Sequence, residues 1–249
     1  MAGVVKVFHS WRCVSDAVVA ALSEPTTDPF VRPILVAPGN AQSRSLLQSL
    51  ARRHGIAAGI DTTTPLGLRE RLEEDLLGVK RENDPWQPGP LALRICRIIE
   101  NNSPGFEVVS AHLEASRRQG VPRATWTTAR QAADAICALA RDSHDVLNAW
   151  ADGATPTTHQ GDTDLAGDPL DPARAWWAPL WRTLLAEPCH VPDPVSRHQL
   201  LVDAILTQSR SEPPIVWFSS TTTAQHDVSL AEALSASHDV TIVHLDHGI

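Results

Sequence analysis

Short strand and helix patterns alternate at both ends of this 249-residue sequence. Apolar, β-branched runs predict strands at 4–10, 34–37, 56–61, 213–220 and 240–245. Helical periodicity between them predicts helices at 14–23, 41–54, 64–78 and 228–237. Strands that alternate with helices in short units favour a parallel sheet, and this feature limits the fold more than any other in the sequence.

The middle of the sequence has a different pattern, which predicts a helical insertion. We therefore divide the chain into 1–82, the first part of an α/β core, 83–210, a mainly helical insertion, and 211–249, the last part of the core. A stretch rich in Gly, Asp, Thr and Pro predicts a loop at 151–172. The sequence stops just after its last predicted strand, where an α/β domain would normally continue, so we expect the core to be truncated.

Charge is unevenly distributed along the chain. Residues 1–141 carry 17 Lys and Arg against 14 Asp and Glu, a balance of +3, whereas residues 142–249 carry 4 against 15, a balance of −11. This pattern excludes a uniformly basic nucleic-acid binder. It is compatible with a protein that has one basic and one acidic surface.

The sequence lacks the parts of an ATPase site. A phosphate-binding loop needs glycines and a lysine, and neither Lys6 nor Lys80, the two lysines of the chain, follows a Gly-x-x-x-x-Gly pattern. A Walker B site needs an acidic residue after an apolar strand, but "IVWF" is followed by Ser219 and Ser220. We therefore expect no ATP hydrolysis by this chain.

Other catalytic patterns are also missing. The sequence contains no GxSxG elbow and no GxGxxG fingerprint, and its four cysteines lie far apart. His244 and Asp246 share one face of a predicted strand and could form half of a metal site, although side chains beside a chain end are more often solvated. We predict no catalytic residue, cofactor or metal site. No apolar run is long enough to span a bilayer, so we expect no membrane contact and a cytoplasmic location.

Several segments resemble, in order and spacing, the N-terminal region of the RecC family, the gamma subunit of exodeoxyribonuclease V or RecBCD complex. They are "VVKVFHSWRCVSDAVVAAL", "DPFVRPILVAPGNAQSRSLLQSLARRHGIAAGID", "ARAWWAPLWRTLL" and "PIVWFSSTTTAQHDVSLAEALSASHDVTIVHL", with "HGIAAGID" and "AWWAPLWRTLL" as the most similar blocks. The resemblance implies a P-loop-NTPase-like core of the superfamily 1 helicase type with degenerate ATPase motifs. It covers only the leading part of the family's longer protein.

The resemblance also implies a DNA-binding segment. "LVAPGNAQSRSLLQSL" resembles motif Ia of superfamily 1 helicases, a strand, turn and helix that contacts the backbone of single-stranded DNA. The predicted DNA-binding residues are Asn40, Gln42, Ser43 and Arg44, followed by Thr62, Thr63 and Thr64. The start of a helix offers N–H groups to a phosphate, and short polar side chains add hydrogen bonds without reading sequence. The alternative is that Asn40 caps the helix and Arg44 is merely solvated.

Two further residue types could contact DNA. Tryptophans such as Trp176, Trp177 and Trp181 stack on bases in single-strand channels, but their helical spacing with leucines favours a packed core. Three arginine groups could form a phosphate track, although charged helix faces are usually just solvated. They are Arg52 with Arg53, Arg94 with Arg97, and Arg117 and Arg118 with Arg123.

Taken with the resemblance, these features predict a non-catalytic, helicase-like subunit of a RecBCD-type complex in double-strand-break repair and recombination. It would bind single-stranded DNA, and it would assemble with RecB-like and RecD-like subunits. These partner subunits would use ATP and Mg. The alternatives are a self-contained α/β enzyme whose site is not apparent in the sequence, or a non-functional gene fragment.

Overall fold

The computed structural model describes residues 4–24, 28, 30–101, 105–153, 176–208, 211–220 and 224–246. Two compact units are present. The sheet unit comprises the described residues up to Lys80 and from Gln199 onward, and the helical unit is Arg81–His198. The predicted loop at 151–172 lies outside the described residues from 154 onward, and the predicted domain boundaries stay a prediction. None of the described helices is both long and apolar enough to cross a membrane.

The sheet unit contains five strands, all parallel, in the order β1-β5-β4-β2-β3. They are β1 (Val4–Phe8), β2 (Ile34–Val36), β3 (Asp61–Thr63), β4 (Ser211–Ser220) and β5 (His238–Leu245). The predicted parallel α/β sheet is therefore confirmed. Because the strands are parallel, their carboxyl ends, and the turns that follow them, lie along one edge of the sheet.

Ten α-helices occur in the described residues. They are α1 (Trp11–Leu22), α2 (Asn40–His54), α3 (Pro65–Leu77), α4 (Pro88–Glu100), α5 (Glu107–Arg118), α6 (Ala124–Asp142), α7 (His144–Ala151), α8 (Trp177–Ala186), α9 (Pro194–Thr207) and α10 (Gln225–Ser237). A 3₁₀ turn, Arg81–Asn83, precedes α4.

The sheet unit has a hydrophobic core on each face of its sheet. On one face, side chains of α1 and α2 pack against strand residues that include Phe218 and Val243. Residues of α3, α9 and α10 cover the other, where Trp217 and Val240 point. Since successive side chains of a strand alternate between faces, neighbouring Trp217 and Phe218 are both buried, in different cores.

The helical unit has its own core around α4, α6 and α8. The alanines of the buried face of α6 let this helix lie close to α4, and Trp86 and Trp181 fill the remaining space with ring centroids 5.6 Å apart. Trp181 is 1% exposed and Trp176 5% exposed. The predicted core role of these tryptophans is confirmed.

Among the element boundaries that differ from the predictions, two have clear local reasons. The third strand is at Asp61–Thr63 and not at 56–61, because Gly59 has a left-handed φ of 74° that interrupts an extended chain and Ile56 is exposed. The first helix begins at Trp11 and not at residue 14, because Ser10 is its N-cap and accepts a hydrogen bond from the Cys13 N–H at 3.3 Å.

Candidate nucleic-acid interface

The two predicted DNA-binding segments lie side by side at the carboxyl edge of the sheet. Strands β2 and β3 pair with Val36 opposite Thr63. Just beyond the pair, the Ala37 N–H donates to the Thr63 carbonyl at 3.0 Å. The turn before α2 and the turn before α3 therefore start from adjacent strand ends, a common place for ligands in open α/β sheets.

The start of α2 has no side-chain cap. Gly39 is the N-cap, in an extended conformation, and Asn40 is the first helical residue. The alternative interpretation of Asn40 as the cap is therefore wrong. The first helical hydrogen bond runs from the Ser43 N–H to the Gly39 carbonyl at 3.1 Å. The N–H groups of Asn40, Ala41 and Gln42 precede it, and these are the groups that a helix leaves without an internal acceptor.

The four predicted DNA-binding residues of α2 differ in the exposure of their side chains. Asn40 and Arg44 are exposed and Gln42 is half-buried. Ser43 is 7% exposed, and its hydroxyl donates back to the Gly39 carbonyl at 3.2 Å. Among the described residues no carboxylate lies within ion-pair distance of the Arg44 guanidinium, and the first turn of α2 contains no acidic residue. Arg44 and Asn40 thus offer the most accessible polar groups.

The three threonines also have different surroundings. The Thr64 hydroxyl is the N-cap of α3 and accepts from the Gly67 N–H at 3.1 Å. The Thr63 hydroxyl donates to the Thr64 carbonyl at 3.3 Å. It also lies so close to Gly67 that a Cβ on that glycine would meet it at 2.6 Å. Thr62 is exposed, so it has the most surface for a ligand.

These groups give the ends of two adjacent strands a polar surface with one exposed positive charge. Free N–H groups at a helix start attract an anion, and an exposed guanidinium adds a full positive charge. Donors of this kind bind phosphates of any sequence, because they contact no base edge. The predicted contacts themselves stay predictions.

A model of the family described as "RecC, N-terminal domain" matches residues 8–246. The chain belongs to this family. Curated relatives named RecBCD enzyme subunit RecC are 29% identical over 251 residues in two strains of Mycobacterium tuberculosis. The relative of the same name from Mycolicibacterium smegmatis is 26% identical over 239 residues. Each alignment covers 91% of this chain but only 19–20% of the relative, so the chain spans about a fifth of their length.

In this RecC-family chain the turn after β1 is too short for a phosphate-binding loop. Only His9 and Ser10 separate β1 from α1, whereas a Walker A loop needs a longer glycine-rich segment. The Trp11 indole packs edge-on against Phe218, with ring centroids 5.5 Å apart. The turn after β1 is thus short and is followed by a packed aromatic side chain.

The carboxyl ends of β4 and β5 contain a pair that sequence reasoning missed. Ser219 lies directly opposite His244, and its hydroxyl lies 2.8 Å from the His244 Nδ1. Asp246 instead lies 3.7 Å from His9, so His244 and Asp246 contact different partners. No group of three or more His, Cys, Asp or Glu able to hold a metal occurs in the described part of the chain. The strand order, which a single sequence does not reveal, creates the Ser219–His244 pair.

Two of the four cysteines are poor nucleophiles because of burial. Burial raises the pKa of the Cys137 thiol to about 11, and burial also raises the pKa of Cys96. A thiol with a raised pKa stays protonated near neutral pH and reacts slowly. Cys13 and Cys189 are exposed and free.

Proposed function

We propose that this chain is the N-terminal part of a RecC-type subunit that holds single-stranded DNA without hydrolysing ATP. The observation that carries the proposal is the uncapped start of α2, with exposed Asn40 and Arg44, beside exposed Thr62 at the carboxyl edge of the sheet. A backbone-binding surface of this kind suits a single strand of any sequence.

The fold proposal is a P-loop-NTPase-like core of the superfamily 1 helicase type that has lost its ATPase parts. Support comes from the parallel sheet and from the position of the motif Ia-like turn directly after β2. Further support is the two-residue turn after β1, which contains no lysine and no glycine. Such a core would position a strand of DNA, but it has no P-loop with which to bind a nucleoside triphosphate.

The partner proposal follows from the family. The curated relatives are named as subunits of a RecBCD enzyme, which supports RecB-like and RecD-like partners for this chain. In such a complex the partners would use ATP and Mg, and the chain would act in DNA repair and recombination in the cytoplasm. The chain's own contribution would be to bind and guide one strand.

The DNA-binding surface is tested by fluorescence anisotropy with a labelled oligothymidylate of about 15 nucleotides, within the site sizes of known single-strand binders. Arg44→Ala is compared with Arg52→Ala, which removes another exposed arginine about 12 Å further along α2. Arg44→Ala is expected to weaken binding about fivefold, since a modest charge-assisted contact contributes about 1 kcal/mol. It should also reduce the slope of log K against log salt by about 0.7. Arg52→Ala should bind like wild type.

Two results would contradict the proposal. If Arg44→Ala and Arg52→Ala lose the same amount of affinity for the oligothymidylate, binding depends only on net charge and not on the α2 turn. If the wild-type chain does not bind the oligothymidylate, the proposed DNA-binding function is wrong. A steady-state ATPase assay on the same preparation is expected to give no turnover, and ATP hydrolysis would favour a self-contained enzyme.

A further inference from the structure

A second electropositive surface lies in the helical unit, where α5 ends and α6 begins. The segment 115–130 contains four arginines and no acidic residue, in a chain with a net charge of −8. We call a group of five exposed residues in this segment the α5–α6 corner. They are Arg117, Arg118, Val121, Arg123 and Trp126.

Backbone hydrogen bonds hold the α5–α6 corner compact. Gly120, with a φ of 72°, ends α5, and its N–H donates to the Arg117 carbonyl at 3.0 Å. The Val121 N–H donates to the Ser116 carbonyl, also at 3.0 Å, which completes a Schellman motif. Only four residues separate Arg118 from Arg123, so their Cα atoms lie at most about 18 Å apart. The three arginines are therefore confined to one short, compact stretch of the chain.

The exposure of Trp126 sets it apart from the core tryptophans of the helical unit. Its side chain is 38% exposed, although it lies in the first turn of a helix that packs against the core. The core tryptophans are between 1% and 5% exposed, and they are Trp86, Trp150, Trp176 and Trp181. A partly exposed indole can stack on an unpaired base.

Two carboxylates, Glu100 and Glu114, lie near arginines of the α5–α6 corner. Arg118 forms an ion pair with Glu114 at 3.3 Å, but the two side chains are 80% and 61% exposed. Arg117 lines a shallow pocket of about 100 Å³ with Glu100 and Glu114. Exposed pairs contribute little, so a phosphate can replace a carboxylate as the partner of Arg118 at low cost. The first turn of α6 contains no acidic residue.

We propose that the α5–α6 corner is a second contact surface for single-stranded nucleic acid. Trp126 stacks on a base, and Arg117, Arg118 and Arg123 bind the flanking phosphates. Unpaired nucleotides are the partner that matches both features, because they combine repeated negative charge with exposed planar rings. The inference rests on the proposed function for its ligand, but it assigns binding to residues on a different unit of the chain.

The test uses the full chain and the same labelled oligothymidylate. Trp126→Leu removes the aromatic face and is expected to weaken binding at least about fivefold, whereas Trp126→Phe should stay within about twofold of wild type. Arg123→Gln should reduce the salt slope by about 0.7. The matched control is Arg141→Gln at the opposite end of α6, about 27 Å away along the helix axis, which should change nothing. Circular dichroism checks that each variant is folded.

The outcomes separate this inference from the proposed function. If Arg44→Ala weakens binding while Trp126→Leu and Arg123→Gln bind like wild type, the α5–α6 corner is not a site and the proposed function stands. If the corner variants lose binding and Arg44→Ala does not, the corner stands and the α2 surface is wrong. A phosphorylated peptide that competes as well as the oligothymidylate would also overturn the inference, since a peptide presents no bases.

Discussion

The buried ion pair of the helical unit provides a sharp test of its packing. Asp84 Oδ2 lies 3.0 Å from Arg197 Nη1, and the two side chains are 2% and 9% exposed. The same carboxylate accepts from the Trp86 N–H at 2.9 Å and from the Gln87 side chain at 3.2 Å. Asp84 thus connects the segment before α4 with α9 through one charged group.

Asp84→Ala removes all three of these interactions at once. Truncating one partner of a buried ion pair costs about 3–5 kcal/mol, because the remaining charge and donors have already lost their water. With an m-value of about 2 kcal/mol/M in urea, the unfolding midpoint should fall by about 1.5–2.5 M. Asp84→Asn keeps an oxygen for the Trp86 N–H and should lose less than Asp84→Ala.

The assay is urea unfolding followed by tryptophan fluorescence, to which all eight tryptophans of the chain contribute, Trp86 beside the pair among them. The matched control is Asp134→Ala, which breaks the exposed Arg130–Asp134 pair within α6. That pair joins residues four apart on a helix surface, so its loss should cost no more than about 0.5 kcal/mol. If Asp84→Ala and Asp134→Ala shift the midpoint equally, Asp84 is not a buried linking group and the described packing around α4 is wrong.

Two further predictions address the site and the cysteines. In a thermal melt, Gly67→Ala should destabilise the chain by about 1–2 kcal/mol, since its Cβ would lie 2.6 Å from the Thr63 hydroxyl, and it should also weaken DNA binding. The control is Gly89→Ala in α4, whose Cβ would meet nothing within 4 Å and which should stabilise the chain by up to about 1 kcal/mol. A thiol reagent near pH 8 should label two cysteines quickly and the other two only on unfolding, because burial raises their pKa values; four fast thiols would contradict the described burial. The fast pair is Cys13 and Cys189, and the slow pair is Cys96 and Cys137.

Much of the sheet unit could be predicted because its signals are local. An apolar run such as residues 34–36 is buried on both faces of a parallel sheet, and Gly55 ends α2 in the left-handed conformation typical of a glycine just after a helix. The third strand was misplaced because "HGIAAGID" reads as apolar, while the turn at Gly59 and the pairing with β2 decide where the strand lies. Pairing between strands is a tertiary property, and local propensity does not contain it.

The candidate site was less predictable than the fold, for the same reason. The turn before α2 could be recognised by its Pro-Gly-Asn pattern, but its closeness to Thr63 depends on the pairing of β2 with β3. Trp126 and Trp181 are both helical tryptophans with similar local sequence signals. Only the packing around α4 and α6 buries one and leaves the other partly exposed.

The starts of the helices that follow the described strands explain why the α2 turn is the best candidate for phosphate binding. The α1 start is capped by Ser10, and the α3 start by Thr64, so a side chain already occupies each. The α10 start has no side-chain cap but carries Asp227 in its first turn, which repels an anion. The α2 start has neither a side-chain cap nor an acidic residue, and it carries Arg44 one turn further on. Of these helix starts, the turn after β2 is therefore the one with neither a side-chain cap nor a nearby carboxylate, whereas capping by Ser10 and packing of Trp11 occupy the turn after β1.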